Sequence, residues 1–269
     1  MAWALGPAGP GPTGRVGGAD RLGLHDGPVA PRLPSLDGSI RTFASGGAAA
    51  HAAADTREAF ALAAKLGADG IESVVRLSAD GVPVLHTEGR IGGRLRRRRL
   101  SSITSDDLPE EIVSLADLHR EIEGDEWPLL LLLPDTRAFE PVVEAARRAG
   151  PGAEERLWLC SADLEALVTW RQHTTARLIN SVQLSNLDRS PEQWAAGLRE
   201  RGIDGLGLPH REWSGGLVTL LHRFERLTVA HDAVHERELA AVVDAGIDGV
   251  SSRHVDRMAA VVELYYPAG

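Results

Sequence analysis

Four side chains that can transfer protons or bind metal lie in or directly after predicted strands of this sequence. Glu72 lies inside an Ile- and Val-rich stretch, and His86, His210 and His231 each follow a short apolar run. Histidine suits acid–base catalysis because its proton exchanges near neutral pH. Three imidazoles can also hold Zn²⁺, although these three form no local metal-ligand motif. We expect Glu72 and His86 to face a pocket, with an outward salt bridge as the alternative for Glu72.

A basic run follows His86 and contains Arg94 and Arg96–Arg99. Runs of like charge are usually solvated surface. The alternative is a rim that attracts anions, since guanidinium groups bind phosphate in a bidentate manner. The sequence alone assigns this run no role.

The composition limits the class of protein. The 269 residues can form one large core, and a single α/β barrel commonly has this length. The formal net charge of −9 argues against a general nucleic-acid-binding protein. The single cysteine, Cys160, excludes an intramolecular disulfide and fits a reducing compartment. No run approaches the roughly 18 apolar residues that a membrane helix needs, and no apolar core of a secretory signal is present. We expect a soluble cytoplasmic protein without a membrane span.

One stretch, residues 55–86, contains the unit that is repeated along the chain. Thr56 can cap a helix with one apolar face, and Asp55 is likewise interpreted as an N-cap residue. Ile71–Leu77 has the composition of a buried strand, and a second short strand then carries His86 to its end. A helix, a buried strand and a polar residue at the strand's carboxyl end make up the repeating unit of a (β/α) barrel.

The alternation of strands and helices continues to the end of the chain. The further predicted strands are Ser39–Ala44, Leu129–Leu133, Arg156–Cys160, Ala176–Val182, Ile203–Leu208, Leu227–Ala230 and Gly249–Ser251. Close to eight strand–helix pairs with short links predict a single-domain TIM-type (β/α)8 barrel over residues 39–266. Residues 1–38, rich in Gly, Pro and Ala, are predicted to be a flexible lead-in. A doubly wound open sheet is the competing architecture, but no Gly-x-Gly-x-x-Gly follows the first strand.

Residues 67–71, 202–206 and 246–250 share the pattern Gly-Ala-Asp-Gly or Gly-Ile-Asp-Gly followed by an aliphatic residue. In each segment the end of a helix meets the start of a buried strand. The repeats therefore belong to the bottom of the predicted barrel and imply no catalysis.

Several segments occur in a recognisable order. Asp55-Thr56 comes first, followed by Gly67-Ala68-Asp69-Gly70-Ile71-Glu72 and then by Val82-Pro83-Val84-Leu85-His86. This frame resembles that of the glycerophosphodiester phosphodiesterases over roughly Arg41–Leu264. The resemblance implies a barrel fold and hydrolysis of a glycerophosphodiester to an alcohol and glycerol 3-phosphate, in lipid metabolism. It also implies two histidines, one arginine and a Mg²⁺ or Ca²⁺ ion held by carboxylates, which neutralise the charge that develops on phosphate.

Only part of that chemistry is retained. In this resemblance His86 matches the second histidine and Glu72 matches one metal-binding glutamate. Apolar, small or other non-matching residues occupy the family's remaining polar pocket positions, namely Ser45, Gly46, Ala54, Asp55, Val74, Thr87, Leu132 and Pro134. His231 occupies the position of a tryptophan, so the simpler interpretation of this residue is a polar side chain that fills a former aromatic site.

The sequence thus predicts a phosphodiesterase-lineage barrel that is inactive or strongly impaired. His86 is the predicted catalytic residue, Glu72 the predicted metal ligand, and His210 and His231 are predicted to contact substrate. One carboxylate lacks the several oxygens that Mg²⁺ and Ca²⁺ prefer, so no tightly bound cofactor is expected. The alternative is a non-catalytic barrel that binds a phosphorylated or polyol small molecule or a protein partner. No nucleic-acid partner is expected.

Overall fold

The computed structural model describes residues 33–36, 38–92, 97–122 and 127–267. The strands are β1 (Arg41–Ser45), β2 (Gly70–Leu77), β3 (Pro83–Leu85), β4 (Arg90–Ile91), β5 (Arg98–Arg99), β6 (Leu129–Leu132), β7 (Leu157–Ser161), β8 (Arg177–Ser181), β9 (Gly205–Pro209), β10 (Leu227–His231) and β11 (Gly249–Ser252). The α-helices are α1 (Arg57–Lys65), α2 (Leu115–Glu121), α3 (Phe139–Ala149), α4 (Leu164–Arg171), α5 (Pro191–Glu200), α6 (Gly215–Arg223), α7 (Glu236–Asp244) and α8 (Val255–Tyr265).

Eight of these strands form a closed parallel ring. The order is β1, β2, β6, β7, β8, β9, β10 and β11, and the ring closes because β1 pairs with both β2 and β11. An α-helix separates each ring strand from the next one along the chain. The predicted TIM-type (β/α)8 barrel is therefore confirmed. The short strand β3 was predicted within the repeating unit, but it pairs antiparallel with β2 and lies outside the ring.

Side chains alternate between the inside of the ring and the layer beneath the helices. Leu130 on β6 packs in the interior cluster with Phe43 and Trp158, whose rings meet edge to face at 5.4 Å between centroids. Leu129 and Leu131, its neighbours on the same strand, pack in the outer cluster with the helices. A strand that is covered on both faces needs a continuous apolar run, which explains the sequence of β6.

The helix starts follow capping chemistry. Thr56 is the N-cap of α1 and accepts a hydrogen bond from the Ala59 N–H at 3.2 Å. The prediction that Asp55 is an N-cap residue is wrong. Asp55 lies one position earlier with φ of +61°, a left-handed conformation that Asp tolerates better than most residues. Its carboxylate bonds to β2 and to the segment after β3 instead, as described below.

An aspartate at the bottom of the barrel joins neighbouring strands at each of the three repeats. The carboxylate before one ring strand accepts the main-chain N–H at the start of the ring strand beside it, at N···O distances of 2.7–2.8 Å. The pairs are Asp69 with Thr42, Asp204 with Leu178 and Asp248 with Thr228. The repeats are thus structural, and they hold the amino ends of adjacent strands together.

Most of the predicted lead-in, residues 1–32 and 37, lies outside the described residues. The described part, residues 33–36, contacts the bottom of the barrel, where the Leu36 N–H donates to Asp248 Oδ1 at 2.5 Å. No helix in the described ranges is both long and apolar enough to span a bilayer.

Candidate functional site

Glu72 lies inside the ring at the start of the barrel's upper half. It is in register with Ser45 on β1, and its side chain is 7% exposed. The carboxylate Oε1 lies 2.8 Å from Nδ1 of His231. The side chains of Ser45 on β1 and Ser251 on β11 also lie close to the carboxylate and act on its pKa. Four strands of the ring therefore supply the immediate surroundings of one buried charge.

The electrostatics of Glu72 follow from these contacts. Burial raises the pKa of the carboxyl group, because desolvation disfavours the charged form. The hydrogen bond and the electrostatic influence of the His231 imidazole, together with the nearby Ser45 and Ser251 hydroxyls, outweigh burial and hold the pKa of Glu72 below its usual range. Glu72 is therefore a carboxylate at neutral pH, and the imidazole of His231 engages its Oε1.

The second ring nitrogen of His231 points to another side chain. Nε2 lies 3.2 Å from Oγ of Ser181, which ends β8. Strand β9 lies between β8, which carries Ser181, and β10, which carries His231. A Cβ on Gly207 of β9 would lie 2.6 Å from Nε2 of His231. The missing side chain of Gly207 therefore lets the imidazole reach Ser181. Glu72, His231 and Ser181 are thus connected in one series by two successive side-chain contacts. They lie at the opening of the barrel at the carboxyl ends of the ring strands, which we call the mouth.

A cavity of about 270 Å³ opens beside Ser181 at the carboxyl ends of the strands. Its other lining residues are Val74, Arg76, Leu132, Leu133, Pro134, Cys160, Ser161 and Ala162. The guanidinium of Arg76 is turned to main-chain carbonyl oxygens, with Nη2 2.8 Å from the Thr87 oxygen. Most of the remaining lining is apolar, so the cavity suits an uncharged or apolar group.

His86 lies away from this series. It follows β3, outside the ring, and its Nδ1 accepts the Gly89 N–H at 3.0 Å. Its main-chain N–H donates to the Val74 carbonyl at 2.9 Å. The half-buried imidazole thus stabilises the turn that follows β3, and neither Glu72 nor His231 is among its hydrogen-bond partners.

His210 has a third environment. It follows β9, and its Nε2 lies 3.6 Å from Oε2 of Glu238. The same carboxylate oxygen accepts the His235 N–H at the start of α7. Nδ1 of His210 is buried without a hydrogen-bond partner among the described residues. The three imidazoles have separate partners, and they form no common ligand group in the described part of the chain.

The positions that the sequence identified as replaced surround the series. Ser45 contacts Glu72, whereas Val74 and Leu132 line the cavity. Gly46 has φ of +61°, and a Cβ there would lie 3.0 Å from the Cβ of Ala54. The backbone at Gly46 is thus adapted to a small residue.

Asp55 forms a buried polar contact beside the mouth. Oδ1 accepts the Ser73 hydroxyl at 2.6 Å, and Oδ2 accepts the Thr87 N–H at 2.8 Å and its hydroxyl at 2.7 Å. Asp55 therefore ties the loop after β1 to β2 and to the residue that follows His86. Its contacts indicate a structural role.

The described part of the arginine run forms one wall of a second cavity, of about 300 Å³. Arg99 lines it with Arg76, Arg90 and Arg137, and two carboxylates, Glu88 and Asp135, lie in the same wall. Arg137 is held by Asp135 in a bidentate ion pair. Arg94 and Arg96, also part of the predicted run, lie outside the described residues. The mixed charges favour a solvated surface more than an anion site.

Sequence reasoning identified Glu72 and His231 but missed Ser181 and Ser251. Both serines lie at the carboxyl end of a ring strand, where barrel enzymes place polar groups. Their position at the end of a predicted strand could have identified them. Serine is so common in loops, however, that this position alone does not distinguish them before the order of the strands in the ring is known.

The chain matches the family model described as Glycerophosphoryl diester phosphodiesterase family over residues 46–122. This segment includes β2, β3 and α2, and with them Glu72 and His86. No curated protein sequence matches the chain at a significant level.

Solved structures share the architecture at low sequence identity. A phosphodiesterase from Oleispira antarctica, in complex with the product sn-glycerol-3-phosphate, is 17% identical, with a TM-score of 0.74 over 86% of this chain and 100% of that one. The glycerophosphodiester phosphodiesterase from Thermotoga maritima is 20% identical, with a TM-score of 0.72 over 82% and 98%. That from Agrobacterium tumefaciens is 16% identical, with a TM-score of 0.69 over 82% and 99%. Over residues 46–122 this chain resembles the glycerophosphoryl diester phosphodiesterase family, and it shares the barrel fold of the solved members of that family.

Proposed function

We propose that this barrel has lost metal-dependent hydrolysis of glycerophosphodiesters and that its mouth binds a small organic molecule. The observation that carries the proposal is the pairing of Glu72 with His231 at 2.8 Å. Mg²⁺ and Ca²⁺ require several oxygen ligands. Among the described residues, Glu72 is the carboxylate that faces His231 in the ring interior, and Nδ1 of His231 engages its Oε1. The donor set around Glu72 therefore does not fit the family's metal ion.

The surroundings of Glu72 support the same conclusion. Val74 and Leu132, where the resemblance implies carboxylates, give the cavity an apolar wall. His86, the predicted catalytic residue, is engaged with the Gly89 N–H and is not hydrogen bonded to Glu72. Loss of a single acid–base group costs about 10²–10⁴-fold in rate, and here several groups are replaced together.

A small-molecule ligand is the second part of the proposal. The phosphodiesterase from Oleispira antarctica is in complex with sn-glycerol-3-phosphate. In this chain the cavity beside Ser181 opens at the carboxyl ends of the ring strands, where barrel enzymes generally have their active sites. A cytoplasmic location stays a prediction that is consistent with the buried free thiol of Cys160.

The decisive assay follows release of sn-glycerol 3-phosphate from a glycerophosphodiester, with Mg²⁺ or Ca²⁺ and with a chelator. The Oleispira antarctica enzyme is the positive control. We expect this chain to show no metal-dependent turnover under conditions in which the control is active. A metal-dependent turnover in the ordinary range of enzymes, about 1–10³ per second, would overturn the proposal.

A double substitution tests whether the contact with His231 keeps Glu72 from binding a metal ion. His231→Ala removes the imidazole from Glu72, and Val74→Asp adds a second carboxylate at the mouth. We expect the double variant to bind Mg²⁺ or Ca²⁺ in isothermal titration calorimetry. The natural chain and the Val74→Asp single variant should not bind either ion. Equal binding by the natural chain would contradict the role of His231 as the group that occupies Glu72.

Binding of small molecules is tested by thermal shift with sn-glycerol 3-phosphate, glycerol and uncharged short-chain esters. We expect at least one class to raise the Tm. The absence of any shift would count against a ligand-binding mouth, independently of the hydrolysis assay.

A further inference from the structure

We propose that Ser181, His231 and Glu72 are a nucleophile, a general base and its positioning carboxylate, and that the mouth hydrolyses carboxylic esters with a short apolar acyl group. The proposal rests on the proposed function, because it needs Glu72 to be engaged by His231 and not by a metal ion. It goes beyond it by naming a reaction and a substrate class.

The distances between Ser181, His231 and Glu72 are those expected for a nucleophile, its general base and the carboxylate that positions the base. A nucleophile and its base lie within about 2.6–3.2 Å, and a third group orients the base. Ser181 Oγ is 3.2 Å from His231 Nε2, and His231 Nδ1 is 2.8 Å from Glu72 Oε1. Since a carboxylate can only accept, Nδ1 carries the proton in this pair, and in neutral imidazole Nε2 is left free to accept the Ser181 hydroxyl.

The exposure of the three side chains suits the reaction, because the nucleophile is the most accessible of them. Glu72 is buried and ionised, His231 is 8% exposed, and Ser181 is half-buried and lines the cavity. The nucleophile therefore meets the open space while the base and the carboxylate are shielded from water. Shielding strengthens the electrostatic support that Glu72 gives to an imidazolium.

Gly207 shows that the contact between Ser181 and His231 depends on local shape. A Cβ at this position would lie 2.6 Å from His231 Nε2 and 3.3 Å from Ser181 Oγ. Any side chain would thus separate or displace the pair. The φ of Gly207 is not in the left-handed region, so glycine is required here by space and not by backbone conformation.

The cavity selects the substrate class. Val74, Leu132, Leu133 and Pro134 form an apolar wall beside Ser181. A phosphodiester would bring an anion to this wall and towards the buried Glu72 carboxylate, which is unfavourable. A carboxylic ester is uncharged, and about 270 Å³ accommodates a short acyl group.

Cys160 lines the same cavity but does not compete as nucleophile. Complete burial and the nearby Glu72 carboxylate raise the pKa of its thiol well above its usual range. The thiol is therefore protonated at neutral pH, and the thiolate is the reactive form. Ser181 is the nucleophile that has a base.

The reaction balances with water as the only co-reactant. Ser181 Oγ attacks the ester carbonyl carbon and its proton passes to His231 Nε2. The tetrahedral intermediate collapses, the bond to the alcohol oxygen breaks, and that oxygen takes the proton from Nε2 as the alcohol leaves. Water then attacks the acyl-Ser181 ester and gives its proton to Nε2. Ser181 leaves with that proton, and the carboxylic acid is released.

The first test is covalent labelling of the full chain with a fluorophosphonate probe, followed by intact mass and peptide mapping. We expect one adduct, on Ser181. Ser181→Ala should abolish it, whereas Ser185→Ala, an exposed serine four residues further along, should leave it unchanged. No adduct on the folded natural chain, or an adduct that persists in Ser181→Ala, would overturn the proposal.

The second test measures hydrolysis of p-nitrophenyl acetate and butyrate in the presence of a chelator. Ser181→Ala should lower kcat/KM by about 10²–10⁴-fold. Gly207→Ala should do the same through displacement of His231, while Gly216→Ala, whose Cβ would meet nothing within 4 Å, should not. A rate equal to the buffer rate for the natural chain would reject esterase activity even if the mouth holds no metal ion.

Glu72 is assigned as a positioning residue, and a structural role alone would not move the pH profile. Glu72→Gln keeps the volume but removes the charge that supports the imidazolium. The acid limb of kcat against pH should therefore move to lower pH, and its plateau should fall. An acid limb at unchanged pH would assign Glu72 to folding only.

Metal-dependent diester hydrolysis and metal-independent ester hydrolysis are separate readouts, so failure of one proposal is distinguishable from failure of the other.

A second, independent observation concerns the rim of the barrel. We infer that His51, His254 and Asp256 bind Zn²⁺ or a similar borderline divalent ion. Their ligand atoms all lie within 4.8 Å of one another, and His51 Nε2 is 3.0 Å from Asp256 Oδ1. Two imidazoles and a carboxylate are ligands that Zn²⁺ accepts, with water in the fourth position.

The segments that carry these residues are joined. His51 follows β1, whereas His254 and Asp256 follow the neighbouring strand β11, at the N-cap and in the first turn of α8. The Ala50 N–H donates to the Arg253 carbonyl at 3.1 Å. The rings of His51 and His254 meet edge to face at 6.0 Å.

Titration with Co²⁺ tests the rim site, because tetrahedral Co²⁺ gives an intense visible absorption that Zn²⁺ then removes. The natural chain should show the band. His51→Ala and His254→Ala should lose it, whereas His173→Ala, an exposed histidine elsewhere on the surface, should retain it. A band that survives both rim substitutions, or no band for the natural chain, would overturn the inference.

Discussion

At the scale of one residue, Glu72 shows how a buried carboxylate depends on the side chain that is paired with it. The carboxylate still faces the inside of the ring in register with Ser45. Its Oε1 is paired with Nδ1 of the His231 imidazole. A buried charge needs hydrogen-bond partners, and His231 is one of them. Filling space is therefore only part of the role of His231.

The first prediction concerns the pH dependence of stability through Glu72. Its folded-state pKa lies below the value of about 4.3 for an unfolded chain, so the carboxylate stabilises the fold above that pH. The contribution is lost as pH falls through the folded-state pKa. Urea unfolding at pH 7 should show Glu72→Gln to be less stable than the natural chain, with a difference that shrinks below pH 4. A difference that is independent of pH would contradict this contribution of the Glu72 carboxylate.

The second prediction concerns Asp55. Asp55→Ala removes the acceptor of the Ser73 hydroxyl and of the Thr87 N–H and hydroxyl, and it places alanine at φ of +61°. Each buried group left unsatisfied costs about 1–3 kcal/mol, so the free energy of unfolding should fall by about 2–4 kcal/mol. Asp55→Asn, which keeps one oxygen and tolerates this φ, should lose clearly less. Equal losses in urea unfolding would show that the carboxylate contacts are unimportant.

At the scale of elements, the bottom and the top of each strand have different tasks. At the bottom, Asp69, Asp204 and Asp248 bind the amino end of the neighbouring strand and fix register. At the top, the strand ends carry the side chains of the mouth, among them Ser181 and His231. Stability and chemistry are thus separated along the strand, as barrel enzymes generally separate them.

The third prediction compares two of these aspartates. Asp248 is 2% exposed and accepts hydrogen bonds from the Leu36 and Thr228 N–H groups, while Asp69 is exposed and binds only Thr42. Asp248→Asn should therefore lower the Tm more than Asp69→Asn, because desolvated hydrogen bonds to a charge are worth more than exposed ones. Differential scanning calorimetry measures both. A larger effect at Asp69 would contradict this account.

At the scale of the whole molecule, the ring interior divides into an apolar floor and a polar mouth. Phe43, Leu130, Trp158 and Val229 fill the lower part. The carboxylate, imidazole and hydroxyl groups around Glu72 lie above them. Because strands from all around the ring contribute to the floor, a defect there should weaken the closed barrel as one unit.

The fourth prediction tests this. Leu130→Ala removes a fully buried side chain from the floor and should lower the free energy of unfolding by about 2–5 kcal/mol. Leu36→Ala, the same substitution at a position that is 38% exposed, should cost far less. Chemical denaturation followed by fluorescence and circular dichroism should give coincident transitions. Separate transitions would show that the barrel unfolds in parts.

The sequence alone determined the barrel, and the reason is local. Apolar runs such as Leu129–Leu132, capping residues such as Thr56 and the Gly-x-Asp-Gly repeats each act within a few residues, so their structural meaning is readable from the chain. The misassignment of Asp55 as an N-cap arose because its partners, Ser73 and Thr87, are distant in sequence.

Only the tertiary structure decided which side chains meet. Glu72 and His231 are separated by 159 residues, and His231 and Ser181 by 50. Their contact depends on ring closure and on the missing side chain of Gly207, neither of which is a property of any short segment. For the same reason the sequence grouped His86 and His210 with His231, although the ring gives each a different partner. Local patterns set the elements, and long-range packing set the site.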